Sequence, residues 1–596
     1  MRRTRARLAA AVAGAAVVSV ALAACGGSGG ATGGSTSSAA GGAGASPVAD
    51  AALTQVVNPS DATGGTVTYL NPDDWDSPDP GNTYYASYWN FSRLYARTLM
   101  TFKAAPGKDG LTLVPDLAQD KGQASADAKT WTYKLKSGLK FDDGTPITSK
   151  DVKYAVERSN YAPDVLSNGP TYFKTLLGTN YPGPYKDTSA DKLGLTTIET
   201  PDDSTIVFKL AKPFSEFDFL ATLPQTAPVP QKKDTGAKYL TGIVSSGPYK
   251  IDSYEPGKSM RLSKNPNWSA STDTVRKQLA DKIVVTLKVE ANDLDSRLLA
   301  GDADIAVDGT GVQTAAKTKV LTDPKLKAQT DNPLTGFLRY VAINTTQKPL
   351  DNVDCRKAVI YAADHAALQT AYGGPTSGDI ATTVLPPTVL GYQKADAYGM
   401  LANPNGDVVK AKAALAACGQ PNGFSTVIVA RANRPKEVAG ATALQQSLAK
   451  VGIKTEIQTF PSGQYFANFA GSTSFAKNKG VGLSFTGWGA DWPSGYGFLE
   501  QIADGREIKA SGNSNLSQLD DPAINKLFDD SLTVTDVDAR TKIWTQVDQK
   551  MMDDAALLPL VYDKALDYRN PDASNVYVHP AYGMYDYAAI GVKKQG

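Results

Sequence analysis

Side chains able to do covalent or metal chemistry are scarce in this chain. Only two histidines occur, His365 and His579, so a histidine-based triad or metal site is poorly supplied. No His-Glu-x-x-His motif is present. Gly257-Lys258-Ser259 ends like a phosphate-binding loop but lacks the earlier glycine of that motif. Ser447-Leu448-Ala449-Lys450 matches Ser-x-x-Lys, yet it lies on an amphipathic helical pattern and no Lys-Thr-Gly accompanies it. His365 falls within another helical pattern and reads as structural. These observations argue against an enzyme, and no cofactor or metal is expected.

The three cysteines divide into two kinds. Cys25 ends Leu22-Ala23-Ala24-Cys25, after a basic stretch with Arg2, Arg3, Arg5 and Arg7 and a short apolar run from Leu8 to Ala24. This is the layout of a secretory signal with small residues before the cut. The run is too short and too rich in alanine and glycine for a spanning helix. The quartet resembles a bacterial lipobox, which implies cleavage before Cys25 and lipidation of its thiol. The expected address is the outer face of the cytoplasmic membrane. Cys355 and Cys418 sit in apolar helical patterns. An exported pair can form a disulfide, but two free buried thiols are the favoured expectation.

The elements that must carry any site are legible in outline. The chain has 596 residues, 42% of them hydrophobic and 20% charged, which is a soluble globular composition too long for one core. Loss of the leader leaves 57 basic against 60 acidic residues, so no nucleic-acid partner is expected. Residues 26–61 are mostly small and read as a flexible tether. Period-two patterns predict strands at 65–70, 131–136, 204–210 and 282–289. Thr148 and Asp151 form a capping box that opens a helix. Helices are predicted over 353–372, 407–418 and 435–450, the last with Pro435 at its first turn. Strands at 425–430 and 452–460 flank that last helix and read as a βαβ unit. The expected architecture is α/β lobes with a cleft between them.

At this level the sequence resembles the extracellular solute-binding proteins of oligopeptide and dipeptide importers, bacterial solute-binding family 5. The resemblance is carried by Leu113-Val114-Pro115-Asp116-Leu117-Ala118, by Tyr133 through Pro146, and by Ser246-Gly247-Pro248-Tyr249 and Asn265-Pro266-Asn267-Trp268. It continues through Gly301-Asp302-Ala303-Asp304-Ile305, Ala342-Ile343-Asn344-Thr345 and Gly487-Trp488-Gly489-Ala490-Asp491-Trp492. Each block is weak alone; their order along the chain is the signal. The resemblance implies a two-lobed periplasmic-binding-protein-like α/β fold of the large subclass with an inserted subdomain. The implied divisions are a signal peptide over 1–24, a tether over 25–61, lobe I over 62–97 and 211–306, and the inserted subdomain over 98–210. Lobe II follows over 307–552, and residues 553–596 return to lobe I.

The implied role is to capture short peptides and hand them to the permease of an ABC importer, as a monomer anchored through Cys25. In the family the segment matching Gly487 to Asp491 pairs with the ligand backbone. Carried over, Gly487 and Gly489 become backbone partners, Trp488 a pocket wall and Asp491 the anchor for the peptide ammonium. Where an arginine can hold the ligand carboxylate in relatives, this chain has Phe485. Arg431, Arg434 and Lys436 lie where other relatives place a base, though each also reads as a solvated charge. Tyr84, Tyr85, Tyr88 and Trp89 could line pockets or belong to the core. Rival readings are an oligosaccharide, another small solute, or a peptide signal in the same cleft.

Overall fold

The structure is a computed structural model describing residues 49–592, apart from positions 167, 308, 310, 433, 462 and 463 and the side chain at 467. The expected signal peptide and Cys25 lie outside the described residues. Among the described residues, no helix is long and apolar enough to cross a membrane.

Three sheets organise the chain. A five-stranded sheet runs in the order Ile305–Ala306, Thr66–Leu70, Lys282–Thr286, Ser259–Lys264, Tyr249–Glu255. Thr66–Leu70 pairs in parallel with both neighbours, and the remaining ladders are antiparallel. A four-stranded antiparallel sheet, Gln123–Ala124, Thr130–Lys134, Thr205–Lys209 and Ile198–Asp202, lies where the inserted subdomain is expected. The helix Ser149–Tyr161, with its capping box at Thr148 and Asp151, covers this sheet. A buried ion network fastens the subdomain to lobe I: Asp116 takes Arg97 and Arg276 at 2.7 Å on separate oxygens.

The six-stranded sheet of lobe II has the order Gly378–Ile380, Leu557–Lys564, Leu334–Ile343, Val481–Gly489, Ser425–Arg431, Lys454–Phe460. Ser425–Arg431 and Lys454–Phe460 run parallel with the helix Pro435–Ala449 between them, as the βαβ reading expects. Val481 through Thr486 are buried throughout, because this strand is central and covered on both faces.

Four expectations need correction. The tether expected to reach residue 61 ends earlier: Ala52 is buried and donates its amide to Asp331, and Val57 bridges Val576. The strand Leu557–Lys564 hydrogen-bonds inside the lobe II sheet, so the return to lobe I follows Lys564 rather than residue 552. The helix expected over 353–372 is two, Val353–Ala362 and His365–Ala371, because the Asp364 side chain caps the second. Cys355 and Cys418 form a disulfide with Cα atoms 5.5 Å apart, since Val353–Ala362 packs beside Val408–Ala417. The two free thiols are therefore not present.

The chain passes between the halves twice. Thr330–Asp331 on the outward passage pairs with Asp567–Tyr568 on the return.

Candidate functional site

A cavity of about 930 Å³ opens between the lobes, a size suited to a small ligand. Its walls come mainly from the Tyr84–Thr101 segment, the ends of three strands of the six-stranded sheet, the start of Pro435–Ala449 and residues 581–584.

The strand Val481–Gly489 reaches the cavity because of its two last glycines. It pairs antiparallel with Leu334–Ile343, setting Gly487 opposite Arg339 and Gly489 opposite Phe337. A Cβ at Gly487 would stand 2.7 Å from Arg339 Nη1, and one at Gly489 would stand 2.8 Å from the Phe337 ring. The missing side chains thus let Arg339 and Phe337 lie over the strand, and both line the cavity. Arg339 is paired with Asp563 at 2.8 Å. Among the described residues, the ladder to Ser425–Arg431 ends at Ser484. Beyond it no strand among the described residues pairs on that side, although the Phe485 carbonyl accepts the Tyr465 hydroxyl at 2.9 Å.

Asp491 follows in the turn before the helix Gly495–Ala503, and Ser494 caps that helix. The Asp491 carboxylate does not cap. Its Oδ2 accepts the hydroxyl of Tyr84 at 2.7 Å and that of Tyr172. Both tyrosines come from the other side of the cleft. Burial pushes the Asp491 carboxyl above its ordinary value, while the Tyr172 and Tyr84 hydroxyls pull it down. No lysine or arginine among the described residues pairs with it. The site is an anionic group, partly desolvated and held by neutral donors.

The other expected residues divide. Tyr85 is exposed on the cavity wall. Trp89 lines the cavity, is stacked at 5.7 Å on Tyr84, and has its Nε1–H tied to the Thr83 carbonyl. Tyr88 is buried outside the cavity, bonded to the Asp74 carbonyl. Arg434 and Lys436 are exposed on the cavity at the N-terminus of Pro435–Ala449. Arg431 is engaged with Glu437. Two expectations fail. Trp488 projects from the opposite face of its strand and donates to the Phe498 carbonyl at 2.7 Å. Phe485 is fully buried beneath Pro435–Ala449, close enough that a Cβ at Gly440 would stand 2.9 Å from its ring. Neither lines the cavity.

Several cleft residues escaped the sequence. Tyr172 is far from Asp491 along the chain, and nothing local marks it. Tyr372 lines the cavity with a buried hydroxyl that has no partner among the described residues. Phe337 and Arg339 could have been found: they alternate with the buried Leu338 and Tyr340. Lys317 donates to Ser377 Oγ at 3.1 Å, and burial followed by the nearby Lys436 lowers its pKa.

The histidines are internal. Burial drives His365 down to about 4 and His579 to about 3. No group of three or more His, Cys, Asp or Glu among the described residues is arranged to hold a metal.

Comparison with known proteins gives concordant matches. The model of bacterial extracellular solute-binding proteins, family 5 Middle, matches residues 112–510. A solved structure of clavulanic acid biosynthesis oligopeptide binding protein 2 is 45% identical. That match covers 92% of this chain and 99% of the other, with a TM-score of 0.87. The glutathione-binding protein GsiB of Escherichia coli (strain K12) is 26% identical over 474 residues, 77% of this chain and 83% of its own length. Heme-binding protein A of Haemophilus influenzae is 27% identical over 539 residues, covering 87% and 89%.

Proposed function

The chain belongs to the bacterial extracellular solute-binding proteins of family 5, and from that premise we propose that it captures short peptides with a free N-terminus. Members of the family are transport binding proteins, so the chain is a substrate-binding component of an ABC importer and not an enzyme. The observation that carries the peptide reading is Asp491. A carboxylate on the cavity wall, partly desolvated and answered only by two neutral hydroxyls, leaves room for a cation. A peptide ammonium would supply one through a charge-assisted hydrogen bond.

The rest of the cavity supports the same ligand. The one-sided strand ending at Gly489 can take an extended backbone as an added strand. Arg434 and Lys436, at a helix N-terminus, together with the free Tyr372 hydroxyl, form an end suited to a carboxylate. One relative carries oligopeptide in its name and another glutathione, which has an ammonium and two carboxylates. Lipidation at Cys25 would keep the protein beside its permease.

An oligosaccharide remains the second reading, because Tyr84, Trp89 and Tyr85 offer aromatic faces on the cavity. Mass spectrometry of ligand co-purified with the native protein, joined to thermal shifts with trialanine and xylotriose, separates the two. Peptide in the eluate and a shift with trialanine are expected. A shift with xylotriose alone would reverse the assignment.

A further inference from the structure

A second carboxylate joins the two halves of the molecule, and it does not line the cavity. Glu216 lies past residue 210, the expected end of the inserted subdomain, and immediately before the helix Phe217–Leu220, whose packing extends the subdomain to include it. Phe217 stacks on Trp131 at 5.6 Å and meets Phe208 at 4.9 Å, so this segment is part of the subdomain core. The Glu216 side chain points the other way, into lobe II, and the residue is 1% exposed.

All of its partners belong to lobe II. Oε2 accepts Trp492 Nε1–H at 2.7 Å and the Ser494 hydroxyl. Oε1 lies 3.3 Å from Trp544 Nε1 and 3.4 Å from Arg540 Nε. The neighbours of Glu216 extend the contact. Ser215 Oγ donates to the Ser531 carbonyl at 2.7 Å, and the Phe214 ring meets Tyr496 edge-on at 5.2 Å. This is a buried surface with an ion pair inside it, and it is separate from the two places where the chain itself crosses.

It also leads to the cavity. Trp492, held by Glu216, is the residue after Asp491. Its ring meets the Tyr172 ring edge-on at 5.1 Å, and the Tyr172 hydroxyl rests on Asp491. A continuous series of contacts runs from Glu216 through Trp492 and Tyr172 to the carboxylate that faces the ligand.

We propose that Glu216 is a positioning residue for ligand capture: it fastens the inserted subdomain to lobe II and so sets Asp491 against Tyr172 and Tyr84. The proposal rests on the reading that the cleft opens and closes about its ligand. Opening must break the Glu216 contact and bare Phe214, Trp492 and Tyr496; closing remakes it. Glu216 therefore governs how long the cleft stays shut, without touching what it holds.

Hydrogen exchange on the unliganded full chain tests this directly. In Glu216→Gln, residues 214–220, 492–496 and 528–544 exchange at least tenfold faster together, while Thr130–Lys134 in the subdomain sheet keeps its protection. Ser215→Ala, which deletes the hydroxyl donated to the Ser531 carbonyl, gives the same pattern more weakly and serves if Glu216→Gln does not fold. Faster exchange confined to 214–220, or no change in either variant, overturns the latch. Stopped-flow release of trialanine provides the second readout. Release at least fivefold faster with association within twofold of wild type is expected, and an unchanged release rate overturns the link to Asp491. If wild type takes no trialanine, the peptide assignment fails while the exchange result stands.

Discussion

Asp491 and Glu216 are both carboxylates set where the lobes meet, and they differ in what answers their charge. Glu216 has an arginine, two indoles and a hydroxyl around it in a buried interface. Asp491 has two tyrosine hydroxyls on one oxygen and an open cavity beside it. A buried charge left without a counter-charge is costly, so the first arrangement is complete in the protein alone. On the proposed reading, the second becomes complete when a cation arrives. The same two surfaces thus hold a closed contact at Glu216 and the proposed binding contact at Asp491, joined through Trp492.

Substitutions should separate the two. Glu216→Ala leaves Arg540 unpaired in the interface and should cost about 3–5 kcal/mol of unliganded stability, as for other broken buried pairs, measured by chemical denaturation. Cys355→Ala with Cys418→Ala is the control inside lobe II. Losing this link over a separation of 63 residues should cost about 2–4 kcal/mol while trialanine affinity and interlobe exchange stay unchanged. A change in affinity there would mean that the contacts between lobes depend on lobe II rigidity in general.

The pH response sharpens the contrast further. Because the Asp491 carboxyl is raised by burial, it takes up a proton at higher pH than an ordinary aspartate at about 4. Peptide affinity should therefore fall as pH drops through that raised value. Stability has the opposite sign: the unliganded folded chain binds this proton more readily than the unfolded chain, so this group's contribution improves as pH falls through the same window. Tyr172→Phe removes a hydroxyl that lowers the Asp491 pKa, so the loss of affinity should begin at higher pH.

What could be read from sequence followed the range of the interactions. The βαβ unit at 425–460 and the Thr148–Asp151 capping box are local patterns and came through. Trp488 was assigned to the cavity from the family resemblance alone, although strand alternation puts it on the face opposite Gly487 and Gly489. Phe485 shares their face but lies under a helix, a fact fixed by tertiary packing. The disulfide was open in sequence because two apolar helical cysteines look alike whether or not their helices are neighbours. Tyr172 and Glu216 owe their roles to partners more than 270 residues away, at 319 and 276 positions of separation. No local pattern encodes such pairings.

The central claim is that Asp491 is an unfinished charge which a ligand ammonium completes. Calorimetric titration of wild type and Asp491→Asn with trialanine and N-acetyl-trialanine tests it most directly. A charge-assisted hydrogen bond of about 1.5–3 kcal/mol corresponds to a loss of about 10- to 100-fold. That loss is expected when either the charge on Asp491 or the ammonium is removed, with little further loss when both are gone. Equal affinity of wild type for the free and acetylated peptides would contradict the account.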